Sequence, residues 1–150
     1  METIQHIPKT ELARNTRQVI RAAQRGQTVV VESHGQPEVA IMDIVDYHIV
    51  RAVLRYYMEP PAIEIGAGLP DAEAYPADPQ AQYDLVLAHY LSENISLGRA
   101  AELLRLPWLD LRSRFIRLDI PLRLGPANIE EARQEVANLI QYLDSEAESR

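Results

Sequence analysis

A stretch of 24 residues, "EPPAIEIGAGLPDAEAYPADPQAQ" (59–82), limits what this chain can fold into more than any other feature. It holds five prolines and two glycines, carries five carboxylates and no Lys or Arg, and shows neither helical nor strand periodicity. Proline cannot continue a helix or sit in a central strand, and a structureless loop of this length inside one compact fold is uncommon. The stretch is therefore expected to be an acidic linker between two modules, 1–58 and 83–150, with a long internal loop as the alternative. Both modules are small, but the 150 residues are 47% hydrophobic, enough to bury a core.

The net charge of -7 would by itself argue against nucleic acid, yet it is unevenly distributed. Residues 1–58 sum to +1, 59–82 to -5, 83–125 to +1 and 126–150 to -4. The surplus acid thus belongs to the linker and the tail. The absence of cysteine excludes disulfides, thiolate metal sites and cysteine nucleophiles, and suits a reducing compartment. No stretch approaches the roughly 18 apolar residues of a membrane span, and the first nine residues lack the pattern of a signal peptide. A cytoplasmic protein with no membrane partner is expected.

In the first module "ETIQHI" alternates weakly. "PKTELARNTRQVIRAAQRG" then places Leu12, Thr16, Val19, Ile20 and Ala23 on one face of a single helix, with Thr10 as a candidate cap and Gly26 as the stop. "TVVVE", the Ser33–Pro37 turn and "EVAIMDI" read as a β-hairpin. Asp46 can cap a further helix with Tyr47, Val50, Val53, Leu54 and Tyr57 on one side. The second module reads as helical: one helix marked by Tyr83, Val86, Leu87, Tyr90 and Leu91, one capped by Ser96, and one from Trp108 through Leu111, Phe115 and Leu118. A tail helix carries Ile129, Ala132, Val136, Leu139, Ile140 and Leu143 in register. The expected class is α+β: strand, helix, β-hairpin, helix, then an all-α helix-turn-helix-like domain.

No catalytic constellation emerges. The four histidines are scattered, and there is no Gly-rich phosphate loop, GxSxG or metal-ligand spacing, so neither an enzyme nor a cofactor or metal is expected. A basic stripe does emerge: Arg14, Arg17, Arg21 and Arg25, spaced three, four and four, with Asn15 beside the first. Charge stripes on helices are commonly just solvated faces. Arg and Asn together, however, are the side chains that grip guanine and adenine edges bidentately, while further arginines suit phosphates.

"TELARNTRQVIRAAQRGQTVVVESHGQPEVAIMDIVDY" resembles the Phd/YefM antitoxin domain over residues 1–58, through Thr10, Glu11, Leu12, Arg14, Asn15, Gly26, His34, Gly35, Pro37, Asp46 and Tyr47. Thr16 departs from it, standing where the family usually has a core leucine. The resemblance implies a homodimer whose paired sheets present two helix starts to successive half-sites of an operator, the hairpin being the dimer platform, with Arg14 and Asn15 reading bases and Arg17, Ser33 and His34 near the DNA backbone. Arg21 is expected to contact phosphate. "LAHYLSENISLGRAAELLRLPWLDLRSRFIRLDIPL" resembles small VapB-like antitoxins over 83–140, which hints at a PIN-domain ribonuclease as cognate toxin. Arg105 and "PWLDL" depart from that pattern; Arg112, Arg114 and Arg117 are its cationic candidates for DNA, against a packing or partner-binding role for the same helices.

The expected function is that of an antitoxin of a type II toxin-antitoxin system that also represses its own operon by binding operator DNA. Val136, Leu139, Ile140 and Leu143 are the candidate toxin-binding residues. A stand-alone transcription regulator without a toxin, or a protein-interaction module, are the alternatives. On this reading a fragment ending near Met58 binds DNA, and residues 82–150 bind the toxin.

Overall fold

The computed structural model describes residues 4–63, 69, 75–123 and 129–148, with the side chains of the last helix from Ala132 onward. It is an α+β protein, with seven helices and one three-stranded sheet among the described residues. Strand β1 (Ile4–Pro8) leads into α1 (Lys9–Arg14) and α2 (Thr16–Gln24), which return the chain to β2 (Thr28–Ser33) parallel to β1. β3 (Gln36–Ile41) runs back antiparallel, leaving β2 central. The hairpin loop is only His34 and Gly35, both at positive φ (53° and 75°), the geometry whose twist matches that of paired strands. Pro37 is tolerated because β3 is an edge strand and the pairing shifts register beside it.

The helix expected over 8–25, with Gly26 as its stop, is broken at Asn15, whose φ of -124° lies outside the helical range. Thr16 then bonds back through its hydroxyl to the Leu12 carbonyl (2.8 Å), an arrangement that bends helices. Because of this break the apolar face also differs from expectation. Ile7, Val19, Val29 and Val31 form the buried core with Leu12, Ala22 and Ile41 against it, whereas Thr16 and Ile20 are exposed. Thr10 makes no capping bond; Pro8, the last residue of β1, occupies the N-cap position.

α3 (Ile44–Met58) is capped by Asp43, whose carboxylate accepts from the Val45 amide (3.2 Å); Asp46, the expected cap, is buried in the first turn. Its core side is also rotated from the expected one: Ile49 and Ala52 are buried with Val45 and Val53 beside them, and Tyr47, Leu54 and Tyr57 are exposed. These residues pack on α4 (Pro79–Leu91), within a core that includes Val86, Leu87 and Tyr90 and extends to α5 (Leu97–Leu103) and α6 (Trp108–Arg117) through Leu97, Ala100, Leu111 and Phe115. α3, assigned to the first module from sequence, thus shares its core with the helices that follow. α4 starts inside the expected linker, with Asp78 as cap (Ala81 amide, 3.0 Å) and Pro79 in its first turn. Leu69 and Tyr75 from the same stretch pack against the core, while 64–68 and 70–74 lie outside the described residues.

Each of α2, α4, α5 and α6 ends in the same way. The residue after the last turn takes positive φ (Gly26, Glu93, Arg105, Asp119), and the next amide reaches back to a carbonyl five residues earlier, as in Ile120 to Phe115 (2.9 Å). Only at Gly26 is that residue glycine. α7 spans Ile129–Glu148, where the tail helix is expected.

Candidate nucleic-acid interface

β1 and β2 run in register to Pro8 opposite Glu32, so the start of α1 and the His34–Gly35 loop share one end of the sheet. Lys9 of α1 meets Glu38 of β3 there (2.5 Å), an exposed pair contributing at most about 1 kcal/mol. Ser33 closes β2 and is half-buried; His34 is exposed in the loop. Arg14 is the last residue of α1, and Asn15 is the joint between α1 and α2. Arg14 is exposed, Asn15 half-buried, and among the described residues the Asn15 side chain has no hydrogen bond.

Arg17 and Arg21 stand four apart on α2 and share a face; Arg25 follows at its C-cap. The break at Asn15 puts Arg14 on a different helix, so the expected continuous stripe is two segments meeting at a joint. All four arginines are exposed, and among the described residues none has a carboxylate partner. Unneutralised guanidinium groups on one helical face can pair with phosphates, and a half-buried free amide beside Arg14 can offer both a donor and an acceptor to a base edge. No hydrogen bond or ion pair joins these arginines to the hairpin loop.

The candidates of the second module are placed otherwise. Arg114 donates to Asp43 (2.5 Å), Asp46 (2.8 Å) and Asp110 (3.0 Å), and Arg117 donates to Asp46 (2.6 Å). The side chains of Arg114 and Asp46 are 12% and 5% exposed. Bonds to three carboxylates hold the Arg114 guanidinium above its ordinary pKa despite burial. These two arginines bind α6 to the start of α3, and only Arg112 of the three remains as a candidate contact. This cluster was missed from sequence, although Asp43/Asp46 and Arg114/Arg117 are opposite-charge pairs at the same spacing of three.

Val136, Leu139, Ile140 and Leu143 line one side of α7 at helical spacing and are each 53–57% exposed; Tyr142 lies alongside. Arg133 is the one basic residue of that helix, against Glu130, Glu131, Glu135, Asp144, Glu146 and Glu148. Among the described residues no three His, Asp or Glu side chains gather to hold a metal ion, and no helix is long and apolar enough to cross a membrane. His89 is buried with Nδ1 unpartnered, and burial pushes its pKa down.

Among the surfaces left open are the basic face of α2 and the acidic α7 with its apolar stripe. Compared with protein-family models, curated proteins and solved structures, the chain matches none. The resemblance to antitoxin domains accordingly rests on the residues that carry it.

Proposed function

We propose that this chain is an antitoxin acting in the cytoplasm, with residues 1–58 forming a Phd/YefM-like dimerising DNA-binding unit and α4–α7 a VapB-like, helix-turn-helix-like partner-binding unit. The observation that carries the proposal is the opposite charge of two of the open surfaces. Arg14, Arg17 and Arg21 are exposed and unpaired, as an anionic duplex requires; α7 is acidic around an uncovered apolar stripe, as a protein with a basic groove requires. Arg14 and Asn15 read bases of the operator, Arg17 and Arg21 hold phosphates, and Ser33 and His34 approach the DNA backbone from the hairpin. Val136, Leu139, Ile140 and Leu143 engage the toxin, for which a PIN-domain ribonuclease is the proposed class.

The experiment is co-purification of the full chain with the product of the adjacent reading frame, alongside mobility shifts on the upstream DNA. Leu139→Asp with Ile140→Asp is expected to lose the toxin and keep the DNA shift. Arg14→Ala or Asn15→Ala is expected to relax base preference at about 1–3 kcal/mol per half-site, and Arg21→Ala to weaken specific and random duplexes alike. Equal losses on both duplexes for all three DNA variants would remove the assignment of base reading to the α1–α2 joint. Absence of any adjacent toxin gene, with DNA binding intact, would favour the stand-alone regulator.

A further inference from the structure

α3 is apolar on two opposite faces, and only one of them is covered. The inner face, with Ile49 and Ala52 fully buried, packs on α4. Ile44, Tyr47, Leu54 and Met58 form the outer face and are 42–78% exposed. With Arg51 they are spaced three, four, three and four, the a/d seam of two heptads by which one helix packs along another. The geometry points to a second copy of this chain as the occupant of that seam, its α3 lying antiparallel to the first and crossing it at Arg51. This inference rests on the dimer in the proposed function and puts its contact on α3 rather than on paired sheets.

Three observations select a copy of the chain over another partner. The seam reads nearly the same in both directions about Arg51, so a two-fold axis there sets Ile44 of one copy against Met58 of the other and Tyr47 against Leu54, burying all four types twice. A hollow of about 370 Å³, lined by Arg51, Leu54, Arg55, Met58, Glu59 and Asp84, flanks the C-terminal half of the seam, where an antiparallel partner delivers its Ile44 and Tyr47. Charge distinguishes this face from the other open stripe: two α7 helices would bring together Glu135, Asp144, Glu146 and Glu148 of both copies, whereas the α3 flank carries both signs, Arg55 being paired with Asp84 (3.0 Å), and like charges meet only at the two Arg51 side chains on the axis. Arg51 is held within the seam by its bond to the Tyr47 hydroxyl (3.0 Å) and its position 5.7 Å from that ring. A single charged residue at such a central position fixes register and orientation at some cost in stability.

The test uses the full chain, which contains no cysteine. Leu54→Glu is expected to weaken the dimer about a hundredfold in sedimentation equilibrium with unchanged circular dichroism, since the side chain is over half exposed. Met58→Glu provides the same readout at a still more exposed position, and Leu139→Glu on α7 is expected to leave the dimer intact. Arg51→Cys should form an interchain disulfide under mild oxidation. Ile44→Cys should not, because the two copies of residue 44 lie about 21 Å apart along antiparallel axes. A dimer insensitive to both glutamates, or cross-linking at Ile44→Cys as fast as at Arg51→Cys, overturns the inference and leaves the dimer itself standing. A wild-type chain that remains monomeric throughout the concentration range removes both.

Discussion

Gly26 is held by two constraints that separate cleanly from those on Gly35. Its φ is +93°, and a Cβ there would lie 2.6–2.7 Å from the Arg117 guanidinium, which is bonded to buried Asp46. Gly35 has φ +75° with nothing within 4 Å of where its Cβ would stand. Gly35→Ala therefore meets only left-handed backbone strain, about 1–2 kcal/mol, while Gly26→Ala meets the same strain and also displaces Arg117. Thermal and urea unfolding should rank Gly26→Ala clearly the more destabilised; equal losses would mean that Arg117 moves aside without cost. His89 sets a different dependence. Burial lowers its pKa from the ordinary 6.5, so as pH falls the unfolded chain takes up this proton before the folded one does. Its contribution is complete above about pH 6.5 and is lost progressively below it. The fall in stability between pH 7 and 5 should be shallower in His89→Leu than in the wild type, each measured by urea midpoint.

At the scale of elements, the recurring helix ending carries its own prediction. Arg105, at φ 56°, follows α5 in the position that favours glycine, and its amide bonds to Glu102 (3.1 Å) while that of Leu106 reaches Ala101 (2.9 Å). The exposed side chain of Arg105 forms no ion pair among the described residues. Arg105→Gly should consequently raise the stability by about 1 kcal/mol, read as a higher melting temperature without a change in helix content. The α1–α2 joint shows the converse, a place where local chemistry interrupts a pattern. Arg14, Arg17, Arg21 and Arg25 sit at spacings that a continuous helix would align, but Asn15 and the Thr16 back-bond end the first helix after Arg14. A periodicity is blind to such a break, because the residues on either side keep their spacing in sequence.

For the whole molecule, the buried Asp43–Asp46–Arg114–Arg117 cluster and the α3–α4 packing tie the sheet-bearing part to the helical part. A cut after Met58 would strip the cover from Ile49 and Ala52, so domain roles are better tested by substitution in the full chain than by fragments. α7 is the exception, since none of its described side chains belongs to the core. Residues 126–150 carry two basic and six acidic side chains, which repel an anionic duplex. A chain ending at residue 125 should bind operator and random DNA alike more tightly at low salt, with the gain vanishing by about 0.3 M as screening shortens its reach. No gain at low salt would show that the tail stays clear of the DNA.

Properties that depend only on neighbours along the chain were legible without a structure. The α+β order, the tight hairpin at His34–Gly35, the Ser96 cap and the apolar register of α7 all follow from side-chain period, turn chemistry and capping, which act within a few residues. The exposed arginines of the candidate interface were legible for the same reason. Which face of α3 is buried was not. Both of its faces are apolar, and only the presence of α4, brought back from beyond residues 59–82, determined that Ile49 and Ala52 go inward while Tyr47 and Leu54 stay outside. The fate of Arg114 and Arg117 was settled in the same way, because a guanidinium is a surface group until the fold places three carboxylates around it some seventy residues away or one turn along.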